Sequence, residues 1–195
     1  MKIAVIKYNA GNIRSVAFAL ERMNIDYEIT DNAEGISTAD KVIFPGVGEA
    51  SSTMNYLKEK KLDQVITGLK QPTLGICLGM QLMCKFSEEN STPCLGIFDE
   101  TVKHFSPDSS HKVPHMGWNS LLKTGDWLDT SLADQFVYFV HSYYVPVNEF
   151  TSAVTDYTEP FSAAMRKNNF YAVQFHPEKS AKAGEKVLRN FLNKV

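Results

Sequence analysis

No run of 18 uninterrupted apolar residues occurs in this 195-residue chain, which argues against a membrane-spanning helix. The opening segment, Met1-Lys2-Ile3-Ala4-Val5-Ile6-Lys7-Tyr8, is too short an apolar run for a secretory signal and reads as a first strand, so a cytoplasmic setting is expected. Cysteine is scarce: three residues, Cys77, Cys84 and Cys94, an odd number that does not suit a disulfide framework. No C-x-x-C pair is present, and neither a metal nor an organic cofactor is expected. Basic excess is missing too. Twenty Lys and Arg against 22 Asp and Glu leave a net charge of −2, which offers nucleic acid no electrostatic footprint. There is no internal repeat, low-complexity tract or Pro/Gly-rich linker, so residues 1–195 are expected to form a single domain.

What the chain does contain is strand–helix alternation. Ile3 to Ile6 is a continuous apolar run, as in a strand covered on both faces. Ile13, Val16, Ala17, Leu20 and Met23 then recur at helical spacing. Further strands are predicted at Tyr27–Thr30, Val42-Ile43-Phe44 and Thr73–Ile76, with a helix over residues 49–60. This pattern predicts an α/β fold: an open, mostly parallel twisted sheet with helices on both faces. The middle reads differently. Residues 87–94 and 106–111 are loop-like, and antiparallel strands are predicted at 98–105, 118–123, 137–140, 153–156, 161–166 and 172–175. They form an antiparallel extension of the sheet. An amphipathic helix carrying Val187, Leu188, Phe191, Leu192 and Val195 closes the chain.

The most informative stretch is Gly75-Ile76-Cys77-Leu78-Gly79. It has the G-x-nucleophile-x-G form of a strand-to-helix elbow, with cysteine as the nucleophile. A helix beginning just after Cys77 would favour the thiolate. Such a nucleophile needs a base, and the base needs an orienting acceptor. His176 ends a predicted strand, where open α/β sheets present their sites. Glu178 follows two residues later, with Pro177 stiffening the backbone between them. His141, at the end of another strand, is the alternative base. His115 is read in a loop. Cys84 reads as a packing residue.

Together with Gln174-Phe175-His176-Pro177-Glu178-Lys179-Ser180, the elbow resembles the class I (triad-type) glutamine amidotransferase family. Lys112-Val113-Pro114-His115-Met116-Gly117-Trp118-Asn119, Ala10-Gly11-Asn12-Ile13-Arg14-Ser15-Val16, Phe44-Pro45-Gly46-Val47-Gly48 and Phe139-Val140-His141-Ser142-Tyr143 resemble one branch of it, the glutaminase subunits of imidazole glycerol phosphate synthase. Lys7-Tyr8-Asn9 departs from the Asp-Tyr-Gly usual there. The resemblance implies Cys77 as nucleophile, His176 as acid/base and Glu178 as its orienter. It also implies oxyanion donors at Leu78 and Val47, and glutamine binding by Gly46, Gln81, His141, Ser142 and Tyr143. A docking face through Asn12, Trp118, Tyr138 and Lys179 would meet a (β/α)₈-barrel cyclase subunit in a heterodimer that channels ammonia. Two alternatives stay open: the same glutaminase serving another acceptor, as in surface-sugar amination, and a non-catalytic subunit that steadies its partner.

Overall fold

The structure, a computed structural model, describes residues 1–8, 12–107 and 109–195. The first half runs β1 (Ile3–Ile6), α1 (Ile13–Arg22), β2 (Tyr27–Thr30), α2 (Ala33–Ser37), β3 (Lys41–Phe44), α3 (Ala50–Glu59), α4 (Leu62–Gly68), β4 (Thr73–Ile76) and α5 (Leu78–Met83). The second half is mostly strands: β5 (Cys84–Ser87), β6 (Thr92–Pro93), β7 (Phe98–His104), β8 (His115–Ser120), β9 (Lys123–Thr124), β10 (Phe136–His141), β11 (Tyr143–Tyr144), β12 (Thr151–Asp156), β13 (Pro160–Lys167) and β14 (Phe170–Val173), closed by α6 (Ala181–Lys194).

One eight-stranded sheet, ordered β2-β1-β3-β4-β14-β13-β12-β9, organises the molecule. From β2 to β14 every pairing is parallel, and from β14 to β9 every pairing is antiparallel. This is the expected mixed sheet. Two smaller sheets, β10-β8 and β11-β7-β5-β6, cover parts of it.

The period of two explains the apolar runs. Ile3 and Val5 face a core shared with Val16 and Leu20 of α1, Phe139 of β10 and Leu188 and Phe191 of α6. Ala4 and Ile6 face the other way, with Met54 and Leu57 of α3 and Ile66 of α4. Burial on both faces removes the polar half of the alternation that marks a half-exposed strand.

Several boundaries depart from the sequence reading. The strand expected at 118–123 is two strands in different sheets: β8 belongs to the two-stranded ribbon, and β9 to the edge of the large sheet. Leu121 N–H donates to Gln135 O and Leu122 N–H to Val154 O, so the chain changes sheets between those two residues. His115 opens β8 rather than lying in a loop, and pairs with His141 across the ribbon. The strand expected at 172–175 ends at Val173, because His176 N–H turns away to Tyr138 O. It is also parallel to β4, not wholly antiparallel. Helices α2 and α4 and strand β5, each short, carried no periodic signal of their own.

Candidate active site

Adjacent parallel strands build the site. β4 and β14 pair with Ile76 opposite Val173, so the residues that follow each strand emerge side by side. Cys77 follows Ile76 and is tied to β14 by its N–H on Val173 O at 2.8 Å. Its backbone has φ 53° and ψ −109°, a region that costs a non-glycine residue of order 1–3 kcal/mol. Helix α5 begins at once with Leu78. The turn is tight enough that a Cβ on Gly79 would collide with the Phe44 carbonyl oxygen at the end of β3. The elbow thus depends on glycine where three backbone segments meet.

His176 and Glu178 have fully buried side chains, with His176 Nδ1 2.8 Å from Glu178 Oε1. A carboxylate can only accept, so Nδ1 carries the proton and Nε2 is left for the cysteine side. Nε2 makes no well-formed hydrogen bond. Burial opposes charging of this ring, but hydrogen bonding and charge from Cys77 and Glu178 outweigh it and raise its pKa to about 10. The ring is then an imidazolium at neutral pH, stabilised as long as the pH stays below that value.

A cavity of about 340 Å³ opens over the sulfur, lined by Val47, Gly48, Cys77, Leu78, Gln81, Glu89, Pro114, Val140, His141, Ser142 and Tyr143. The residues expected to hold glutamine thus border it, except Gly46, which is buried and not part of the lining. Leu78 N–H, an expected oxyanion donor, is occupied: it donates to Gly46 O at 3.3 Å. Tyr8 donates its hydroxyl to the Pro45 carbonyl and tilts its ring on Phe44 at 5.5 Å. It is buried beneath the Pro45–Gly48 loop. The rest of the departing segment, Asn9, and the motif residues Ala10 and Gly11 lie outside the described residues.

His141 is no base. Its Nδ1 is 2.8 Å from Tyr143 O and its Nε2 3.1 Å from His115 Nδ1. Burial lowers its pKa to about 3, helped by the charges of His115 and His176 against the Tyr143 carbonyl. Burial and the charge of His111 lower that of His115 to about 4. His111 and His115 stand four residues apart, a spacing that can serve metals, but no group of three or more candidate ligands gathers among the described residues. Unfolded histidines take up protons from about pH 6.5 downwards, and these two cannot while folded. The unfolded chain therefore binds more protons across that window, and stability falls as the pH drops from 6.5 towards 3. A urea midpoint that declines from pH 6.5 to 4, less steeply in His115→Phe, is the expected result; equal slopes in the two proteins would contradict it.

On the outer face of the β8–β10 ribbon, Trp118 is 52% exposed, Met116 64% and Phe136 60%. Trp118 meets Tyr138 edge-on at 6.1 Å, and Lys179 Nζ lies 5.8 Å from the Tyr138 ring centroid. Asn12 is not with them. It is 3% exposed, and its Nδ2 donates to Glu178 Oε1 at 3.2 Å, next to the triad. Two further residues at the site were given no role from the sequence: Glu89, on the cavity wall within a segment read as loop, and Gln174, part of the His176 motif, whose Nε2 is 3.6 Å from Cys77 Sγ.

A cysteine elbow facing a buried His–Glu pair, on an open α/β sheet, is the apparatus of thiol-dependent acyl transfer. The chain belongs to the class-I glutamine amidotransferase family, whose sequence model it matches over residues 4–195. Within that family it is similar to proteins called imidazole glycerol phosphate synthase subunit HisH. The relative from Bacteroides fragilis strain YCH46 is 63% identical, covering 98% of this chain and 99% of its own. The one from Bacteroides thetaiotaomicron is 61% identical over 99% and 100%, and that from Haemophilus influenzae strain KW20 is 44% identical over 100% and 98%. Among solved structures, a glutamine amidotransferase aligns with a TM-score of 0.74 at 18% identity, covering 97% of this chain and 96% of its own. Another glutamine amidotransferase, from Thermotoga maritima, aligns at 0.60 and 16% identity, over 100% and 83%. At these identities the structural matches speak for the fold.

Proposed function

We propose that this chain is the glutaminase subunit of an imidazole glycerol phosphate synthase in histidine biosynthesis, folding as one glutaminase domain. The observation that carries the reading is the convergence of Cys77, His176 and Glu178 just past the C-terminal ends of the paired strands β4 and β14, with Cys77 on the wall of a cavity of about 340 Å³. The Cys77 thiolate attacks the side-chain amide carbon of glutamine. His176 passes its Nε2 proton to the departing ammonia, leaving a γ-glutamyl thioester on Cys77. The same nitrogen then takes a proton from water, which attacks the thioester and releases glutamate. Glu178 holds the ring and offsets its charge throughout.

The tetrahedral oxyanion needs N–H donors. Leu78 N–H is one, yet Gly46 O holds it. Rotating the Gly46–Val47 peptide would withdraw that carbonyl and present Val47 N–H in its place, creating two donors in one movement. The structure is thus in keeping with a resting state, and the rotation with its switch.

Glu89 is the carboxylate on the cavity wall, its pKa raised by burial against a hydrogen bond from Ala50 N–H. It is suited to the α-ammonium group of glutamine. Glu89→Gln should raise KM about tenfold or more with a smaller change in kcat, since a charge-assisted bond is worth about 1.5–3 kcal/mol. An unchanged KM in steady-state glutaminase assays would remove this role.

Ammonia released into water would be protonated and lost to synthesis, so the acceptor site must be coupled. The partner is the (β/α)₈-barrel cyclase subunit, docking on Trp118, Tyr138 and Lys179 with Met116 and Phe136 as apolar surround. The combined reaction yields imidazole glycerol phosphate and aminoimidazole carboxamide ribotide. Trp118→Ala should weaken the heterodimer about tenfold or more, as aromatic anchors do, which titration calorimetry with the cyclase subunit reads directly. Full affinity in the variant would move the docking face elsewhere. The test of the whole proposal is glutamate release from glutamine, low for the chain alone and stimulated by the cyclase subunit with its nucleotide ligand. Complementation of a histidine auxotroph separates this role from surface-sugar amination.

A further inference from the structure

From the wall of the glutamine cavity, where Gln81, His141 and Tyr143 lie, runs a line of hydrogen bonds that the chemical steps described above do not use. Its direction is set at one backbone atom. Tyr143 O can only accept, and it takes Gln81 Nε2 at 2.9 Å and His141 Nδ1 at 2.8 Å. The other hydrogen of Gln81 Nε2 goes to Gln174 Oε1 at 3.0 Å. With its oxygen committed, Gln174 must turn its amide nitrogen the other way, and that nitrogen is 3.6 Å from Cys77 Sγ. Both glutamine orientations are therefore dictated from the carbonyl.

The same reasoning runs outward. With its proton on Nδ1, neutral His141 offers Nε2 as an acceptor, so His115 Nδ1, 3.1 Å away, must donate. His115 Nε2 is then the acceptor for Asn119 Nδ2 at 3.3 Å. The second hydrogen of Asn119 Nδ2 goes to Asp156 O at 2.8 Å, another atom that can only accept. A backbone carbonyl thus terminates the outer end, and the interior carbonyl of Tyr143 agrees with it. An extra proton on either imidazole would set two donors face to face. Both rings are buried, and His115 is stacked between Tyr157 at 4.0 Å and Phe139 at 4.8 Å, so neither has a second partner to turn to.

We propose that Gln174 is a catalytic residue that donates a hydrogen bond to the Cys77 thiolate, and that Asn119, His115 and His141 are positioning residues that hold it in place from the docking strand. The proposal rests on Cys77 being the nucleophile. Thiol and thiolate use different partners. As a thiol, Sγ can donate towards Val140 O at 3.9 Å. On ionisation beside the already protonated His176 the S–H proton leaves to water, the sulfur becomes an acceptor, and the Gln174 amide bond becomes charge-assisted. Losing that donor weakens only the ionised form. His176 and Tyr8 are titratable groups whose charge acts with that of Cys77, and Glu89 and His141 line the same cavity; all four are kept in the variants below. Asn119 is the inner-facing neighbour of Trp118 on β8, so a load on the exposed face reaches the outer end of the line through a single residue.

The experiment is the rate of Cys77 alkylation by iodoacetamide against pH, read on the Cys77 peptide by mass spectrometry so that Cys84 and Cys94 do not contribute. It uses the full chain, free and in complex with the cyclase subunit. Gln174→Met keeps length and loses the donor; the pH midpoint should rise by about one unit, a roughly tenfold loss of alkylation rate at pH values below the midpoint. His115→Phe preserves the aromatic stack and cuts the line at a distance; its midpoint should rise in the same direction, by less. A merely structural role would lower the melting temperature and leave the midpoint in place. A folded Gln174→Met protein with the wild-type midpoint overturns the proposal. If that variant does not fold, an unmoved midpoint in His115→Phe does so. Wild-type glutamine turnover, measured alongside, separates the two levels: turnover with an unmoved midpoint sinks this inference alone, and absent turnover in the complex sinks the functional reading beneath it.

Discussion

On the proposed mechanism, Cys77→Ala should abolish glutamine-dependent synthesis by the two-subunit enzyme and leave synthesis from ammonium salts intact. On that mechanism the glutamine half depends on a covalent thioester, and neither of the other two cysteines is placed to form it. Cys84 is buried, with its thiol pKa pushed up by burial, and Cys94, raised to about 12 by burial, is not among the residues lining the cavity. Removing a nucleophile from an interdependent triad typically costs about 10⁶ in kcat. The fold should tolerate the change, since alanine removes one sulfur and relieves none of the backbone strain at φ 53°. Synthesis from ammonium bypasses the elbow and reports only on the cyclase partner. Loss of both activities would contradict the division of labour between the two proteins.

Gly46→Ala should lower partner-stimulated glutaminase by about 10²–10³, the range for loss of one oxyanion donor. A Cβ at residue 46 would lie 2.5 Å from the Tyr8 hydroxyl, 2.8 Å from Gly79 N and 2.9 Å from Leu78 Cβ. Tyr8 is held by Pro45 and Phe44, and Gly79 has no room to move against the Phe44 carbonyl, so the crowding cannot be relieved cheaply. The peptide that would have to turn is the one wedged. Basal and stimulated rates, the latter with the nucleotide ligand and the cyclase subunit, read the effect. Stimulation equal to wild type would show that the Gly46–Val47 peptide does not gate the oxyanion position. Ammonium-dependent synthesis should again be unaffected.

The parts of the site that were legible in the sequence are local ones. Gly75 to Gly79 encode a backbone shape, and His176-Pro177-Glu178 encode a rigid dipeptide offset; both can be read without knowing what lies nearby. Their partnership was not local, and came from the family resemblance. The fold was legible wherever an element was long or buried on both faces, as in β1, β4 and α6. It was obscured where a segment takes its pairing from distant chain. β8 and β9 read as one strand because Leu121 and Leu122 continue the apolar pattern across a change of sheet. Asn12 illustrates the limit for single residues. A polar side chain just before a helix is ordinarily solvated or a cap, and nothing adjacent marks it as the buried neighbour of Glu178. Gln174 and Glu89 are similar: their meaning lies in what faces them, 97 residues away in the case of Gln174 and the Cys77 sulfur.

The pairing of Ile76 with Val173 has a consequence for how this enzyme can be altered. The distance from sulfur to imidazole is counted out in whole residues along two neighbouring strands, each advancing about 3.3 Å. Substitutions can retune the chemistry in small increments, but chain length cannot be adjusted by less than one step. A single deletion between residues 173 and 176 would draw the ring back by about one residue step, about 3.3 Å, and change the direction in which it points. Mutant libraries here should therefore recover many replacements and no insertions or deletions, and the reach of the nucleophile is set by arithmetic along the backbone rather than by any side chain.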